Sequence, residues 1–64
     1  MERTLILNIE SAIRGIKMGT KKPEDVGTAV ATNMTKLKLL NEGMQIDLMV
    51  KYKQVVEGYK NSLK

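Results

Sequence analysis

The stretch that decides the fold is LKLLNEGMQIDLMVKYKQVVEGY, residues 37–59, the densest apolar run in the chain. Apolar residues recur in it at steps of three and four, which places them on one stripe of an α-helix. The stripe consists of Leu37, Leu40, Met44, Leu48, Tyr52, Val55 and Tyr59, and it continues to Leu63. We therefore expect an all-α protein whose core is built around this helix.

The same stripe extends upstream without a change of phase. Its earlier members are Val26, Val30 and Met34. Pro23 marks the start of this helix, because a proline at the first helical position costs no hydrogen bond. Glu24 and Asp25 follow it, and acidic side chains favour the positive end of a helix. The pattern predicts a helix over residues 24–61.

The segment Asn41-Glu42-Gly43 leaves an alternative open. Glycine can end a helix and asparagine can start one, so a break here would give a three-helix bundle. Against a break, Leu40 and Met44 are a clean i,i+4 pair, and one glycine inside a helix costs only about 1 kcal/mol. We favour a continuous or kinked helix and keep the three-helix bundle as the alternative.

Residues 4–18 form the first predicted helix. Its apolar stripe is Leu5, Ile6, Ile9, Ala12, Ile13 and Ile16, with Asn8, Ser11, Arg14 and Gly15 placed opposite. Gly19 follows Met18 where a left-handed helix terminus favours glycine, and Lys17 complements the helix dipole. The two helices make a helical hairpin. Its predicted core is Leu5, Ile9, Ile13, Ile16, Val30, Met34, Leu37, Leu40, Met44, Leu48, Tyr52 and Val55.

The chain has 64 residues, which allows one small all-helical domain, over residues 1–64, with a small core. It contains no cysteine and no histidine, so disulfides are excluded and zinc lacks its usual ligands. A first helix of about 22 Å covers only half of a 38-residue partner helix. We therefore expect self-association into a homodimer or higher oligomer through the second half of the long helix. The predicted oligomer or partner surface is Ile46, Leu48, Met49, Val50, Tyr52, Val56 and Tyr59.

Leu7 and Met18 lie off the main stripe of the first helix, on nearly the same side, and are candidates for a second contact surface. A helical hairpin that doubles its core by dimerising is an architecture shared with several small regulators of plasmids and phages, although no motif matches a family. We expect a regulatory, inhibitory or adaptor protein that docks a helical surface on a host or phage protein.

Catalysis needs titratable groups that converge in a pocket. The chain has no histidine base and no cysteine nucleophile, and its seven acidic residues are spread along polar faces. We therefore expect a protein that is not an enzyme and that uses no cofactor and no metal. It has no apolar run of about 20 residues and no secretory signal pattern, so we expect a cytoplasmic protein without a membrane span.

The formal net charge is +4, but acidic and basic residues alternate along the chain. Pairs such as Asp47 with Lys51 at i,i+4 are typical of a solvated helix face. The alternative function is a regulator that binds nucleic acid or a nucleotide phosphate through basic residues of the loop and the second helix. Its candidate anion contacts are Lys21, Lys22, Lys36 and Lys38.

Overall fold

The computed structural model describes residues 2–63 and contains three α-helices in that range. They are α1 (Glu2–Met18), α2 (Pro23–Leu40) and α3 (Glu42–Ser62). Short connections make sequential helices antiparallel neighbours. All three pairs of helices are in contact, and the bundle measures 37 × 17 × 16 Å. The prediction of an all-α helical bundle is confirmed.

The long helix predicted over residues 24–61 is divided in two at Asn41, as in the three-helix alternative. Asn41 has φ −157° and ψ 87°, outside the helical region, and its side-chain Oδ1 accepts a hydrogen bond of 3.1 Å from the backbone N–H of Met44. This is an asparagine cap, which satisfies one of the free N–H groups at the start of α3. Folding back at Asn41 lets α3 bury its apolar stripe against both α1 and α2, which a straight helix could not do within one chain.

The predicted end of α1 is confirmed in detail. Gly19 has φ +81°, its N–H donates to the carbonyl of Ile16 at 3.1 Å, and the N–H of Thr20 donates to the carbonyl of Gly15 at 2.9 Å. This pair of bonds is the Schellman arrangement. The Gly15 carbonyl also accepts from the Lys21 N–H at 3.1 Å and the Thr20 hydroxyl at 3.2 Å. Four donors therefore satisfy two carbonyls of the last turn of α1, those of Gly15 and Ile16, and fix the direction of the loop.

Gly15, which the periodicity of α1 places opposite the apolar stripe, lies under the aliphatic stem of Lys21. It is buried, and a Cβ added to it would lie 2.6 Å from Lys21 Cδ. The periodicity of α1 could not reveal this contact, because the loop that carries Lys21 back over Gly15 is a tertiary feature. Lysine stems commonly cover such surfaces while the ammonium group stays in water.

Each helix contributes one almost fully buried side chain to the core. These side chains are Ile9, Leu37 and Leu48, at 0%, 0% and 1% exposure. The remaining members of this cluster are Leu5, Ala12, Val30 and Met34, with Ile6, Ile13, Val26, Met44, Met49 and Tyr52 packed against it. Leu40 was predicted in the core and this prediction was wrong, since the residue is 55% exposed. It is the last residue of α2, next to the break in the helix at Asn41.

Candidate functional site

A groove opens between the carboxyl-terminal ends of α1 and α3. The two helices run in the same direction, so these ends lie side by side. The groove has a volume of about 560 Å³. Its lining consists of Ile16, Lys17, Met18 and Gly19 from the end of α1, and of Gln54, Val55, Gly58, Tyr59 and Ser62 from α3. We name this feature the α1/α3 groove.

Two glycines help to keep the α1/α3 groove open. A Cβ added to Gly58 or to Gly19 would have no atom within 4 Å, so neither position is filled by a neighbour. Gly58 lies inside α3, where a glycine costs helix stability relative to alanine. Gly19 also ends α1, since its positive φ suits a residue without a Cβ. The glycine that ends α1 therefore also leaves open space in the groove.

The floor of the groove is apolar, and the charge on its described lining residues is positive. Ile16 is buried, Val55 and Tyr59 are half-buried, and Met18 is 75% exposed. Among the lining residues within the described range 2–63, Lys17 is the one that carries a charge. The lining therefore offers apolar contact surface and a cationic group at its edge, an arrangement that fits an apolar ligand carrying negative charge.

Tyr59 also lines a second, smaller groove of about 330 Å³. The second groove lies between the start of α2 and the end of α3 and is lined by Pro23, Glu24, Tyr59, Lys60 and Leu63. Leu63 is 70% exposed. Tyr59 is thus common to two grooves at the end of the bundle where α1 and α3 terminate.

The predicted oligomer or partner surface is divided between the core and the surface of the bundle. Leu48 is 1% exposed, because it packs inside the bundle. Met49 and Tyr52 pack partly against the core, and Val56 is half-buried. Ile46 and Val50 are exposed at 48% and 47%, and Tyr59 lies in the groove. The fold of a single chain thus covers Leu48 and partly covers Met49 and Tyr52, residues for which the long-helix prediction required a second copy of the chain.

The predicted second contact surface is also divided. Leu7 and Met18 are both exposed, at 50% and 75%. They are eleven residues apart on α1, or about 16 Å along the helix axis. Met18 lines the α1/α3 groove and Leu7 does not. The structure thus brings Met18 together with Tyr59, two residues that the sequence assigned to different surfaces.

The four candidate anion contacts form two separate pairs. Lys21 and Lys22 lie exposed in the loop before α2, whereas Lys36 and Lys38 are exposed near its other end. Fourteen residues separate Lys22 from Lys36, which is about 21 Å along a helix. Glu24 and Asp25 occupy the first turn of α2 beside the loop pair. The structure does not unite the four lysines into one basic patch.

Within residues 2–63, no group of three or more acidic, histidine or cysteine residues is placed to hold a metal ion. In the same range, every buried side-chain nitrogen or oxygen has a hydrogen-bond partner. The buried Gln45 donates from Nε2 to the sulfur of Met49 at 3.9 Å. No described helix has the length and apolar character needed to cross a membrane.

Sequence reasoning missed four residues of the groove: Lys17, Gln54, Gly58 and Ser62. Their types carry no signal for a site. The helix α3 continues to Ser62, whose hydroxyl donates to the Tyr59 carbonyl at 2.8 Å. Ile16 and Val55 were found by their periodicity, but as core residues. The groove results from the approach of two segments about 40 residues apart, which no local pattern describes.

Comparisons of the chain with protein-family models, with curated proteins and with solved structures found no match.

Proposed function

We propose that this chain is a non-enzymatic protein–protein interaction module that binds a segment of a partner protein in the α1/α3 groove. The partner segment carries apolar side chains next to acidic ones. By occupying this segment, the protein acts as an inhibitor, adaptor or regulator of the host or phage protein that contains the segment.

The observation that carries the proposal is the groove with its apolar floor and with Lys17 as the one cationic residue in the part of the lining that the structure describes. Its volume of about 560 Å³ lies within the range of roughly 300–1,000 Å³ found for ligand pockets. Tyrosine and methionine are enriched at protein interfaces. Tyr59 supplies a rigid amphipathic ring, while Met18 supplies a flexible thioether that adapts to the shape of a partner.

Lys17 selects the charge of the partner. Charged groups at the edge of an interface contribute more to partner choice and to the association rate than to affinity. A carboxylate next to the apolar side chains of the partner would lie near Lys17, whereas a lysine there would be repelled. The partner segment is therefore acidic and apolar, and the interaction weakens moderately as salt screens this contact.

The test uses a random library of peptides displayed for selection against the purified protein. We expect the selected peptides to combine apolar residues with Asp or Glu. Binding should fall at least about tenfold in Gly58→Leu, because the new side chain fills open space in the groove. Lys17→Glu should change the preferred charge of the selected peptides.

Gly27→Leu is the matched control. Gly27 is also a helical glycine whose added Cβ would meet nothing within 4 Å, and it is absent from the groove lining. Circular dichroism checks that both leucine variants keep the helical fold. Peptides that bind Gly58→Leu as tightly as the parent, or a library from which no peptide is selected, would contradict the proposal.

A further inference from the structure

The junction between α2 and α3 interrupts a helix for only a few residues. The N–H of Asn41 donates to the carbonyl of Leu37 at 2.7 Å, and the N–H of Gln45 donates to the carbonyl of Asn41 at 3.0 Å. Both are i to i−4 bonds, the spacing of an α-helix. Straightening the chain would therefore add only the bonds from residues 42, 43 and 44 to residues 38, 39 and 40. The N–H of Met44 is held by the Asn41 side chain.

The apolar stripe does not change phase across this junction. Leu37, Leu40, Met44 and Leu48 follow one another at steps of three and four. A straight helix through Asn41 would consequently keep the apolar stripes of α2 and α3 on one continuous face. Such a helix still needs α1 to cover each half of its face, and a single chain has only one α1.

Two large apolar side chains lie exposed beside the junction. Leu39 is 84% exposed and Leu40 is 55% exposed, although both belong to the last turn of α2. Single exposed leucines are common, but two consecutive ones at a one-residue hinge are placed where a new contact would form if the hinge opened. Short hinges between packed elements favour exchange of an element between copies.

We propose that two copies of this chain form a dimer by exchanging α3. In each copy α2 and α3 merge into one helix over residues 23–62, about 60 Å long. The α3 half packs against α1 and α2 of the partner and takes the position that the partner's own α3 occupies in the closed monomer. The buried contacts of the monomer are thus kept, and the long helices cross near Leu39 and Leu40, which become covered.

The balance between the two forms depends on concentration. The closed monomer avoids the entropy cost of association, whereas the dimer gains the missing helical bonds and the contact at Leu39 and Leu40. Dilution favours the monomer and concentration favours the dimer. The exchanged dimer contains the long helix that the sequence periodicity favours. In the exchanged dimer the α1/α3 groove is formed by α1 of one chain and α3 of the other. The exchange itself does not require that a partner protein binds in this groove.

Two substitutions at the hinge act in opposite directions. Asn41→Ala removes the cap on α3 and places a strong helix former at the hinge, which favours the exchanged dimer. Glu42→Pro places proline at the first position of α3, as Pro23 already is in α2. Inside a continuous helix that proline would lack its N–H and clash with the carbonyl four residues earlier. Glu42→Pro therefore permits the closed monomer and prevents the exchanged dimer.

Sedimentation equilibrium from about 10 µM to about 1 mM measures the assembly. We expect the parent to dimerise at the upper end of this range, Asn41→Ala to dimerise at least about tenfold more tightly, and Glu42→Pro to remain a monomer. Absence of any dimer of Asn41→Ala at the highest concentration would overturn the proposal. So would a dimer of Glu42→Pro as tight as that of the parent.

The distance between positions 24 and 60 of one chain distinguishes a dimer with exchanged α3 from a dimer of two closed monomers. Positions 24 and 60 line the same groove in the closed form, and the absence of native cysteine allows spin labels to be attached at Glu24→Cys and Lys60→Cys alone. In the exchanged form 36 residues of helix separate the labels, or about 54 Å. Doubly labelled chains are diluted in unlabelled chains, so that only this distance is measured. A long distance in the dimer fraction supports exchange, whereas a short distance in a dimer overturns it.

Discussion

Three residues, one from each helix, form the least accessible part of the core: Ile9, Leu37 and Leu48. They lie at most 1% exposed, so their contribution to stability comes from burial rather than from any polar contact. All three were predicted from periodicity alone. The position of each on the stripe is a property of its own helix, and for this reason it does not depend on how the helices are connected.

We expect Leu48→Ala to destabilise the protein by about 2–5 kcal/mol, through lost apolar burial and the cavity that remains. A domain of this length has a total stability of about 3–10 kcal/mol, so a large part of the fold would be lost. Urea denaturation followed by circular dichroism measures the change. Ile46→Ala is the control on the same helix, because Ile46 is 48% exposed. Equal effects of the two substitutions would show that Leu48 is not a core residue.

Alanine at two of the glycines should change stability in opposite directions. Gly27→Ala should stabilise the protein by about 0.5–1 kcal/mol, since alanine restricts the unfolded chain and its Cβ meets nothing within 4 Å. Gly19→Ala should instead destabilise it by about 1–2 kcal/mol, because Gly19 has φ +81°. Calorimetry of both variants gives the sign of each change. A stabilising Gly19→Ala would contradict the left-handed end of α1.

At the scale of secondary structure, α2 is the helix that depends most on its neighbours. Gly27 and three threonines give it low helix propensity. The hydroxyl of Thr32 donates to the carbonyl of Thr28 and that of Thr35 to the carbonyl of Ala31, both at 3.0 Å. These bonds stay within the helix and connect it to nothing else. Packing of Val30, Met34 and Leu37 into the core therefore supplies the stability that local propensity lacks.

The double substitution Thr32→Ala, Thr35→Ala should stabilise the protein by about 1 kcal/mol, because alanine is the better helix former at exposed positions. For a domain of this size that corresponds to a rise in Tm of about 4–8 °C. Thermal unfolding measures it, with Thr20→Ala as the loop control that loses the bond to the Gly15 carbonyl. A lower Tm in the double variant would mean that these threonines make stabilising contacts beyond α2.

At the scale of the whole molecule, the bundle combines short connections with helices that each contact the other two. Most of its hydrogen bonds are local, and the loops to be closed are short, so little entropy is lost before native contacts form. Because the connection between α2 and α3 is short, the single-residue hinge at Asn41 is the point at which the monomer and the proposed exchanged dimer would diverge.

We expect the main folding phase of the monomer to be single and to lie between microseconds and milliseconds, as for other proteins rich in local contacts. Temperature-jump relaxation at low protein concentration measures it. Glu42→Pro should fold at a similar rate, since the closed form already breaks the helix there. A main phase of seconds, or one whose rate depends on concentration, would indicate that assembly precedes folding of the individual chain.

The sequence by itself determined the helical class, the buried stripes and the boundary between α1 and α2. Each follows from local chemistry: periodicity selects the buried face, Gly19 ends one helix and Pro23 starts the next. Only the tertiary structure decided the break at Asn41, the exposure of Leu40 and the α1/α3 groove. A straight and a broken helix share the same apolar phase and differ locally by one cap and three hydrogen bonds. The choice between them depends on how much apolar surface α3 buries against α1, a long-range quantity that no local pattern contains.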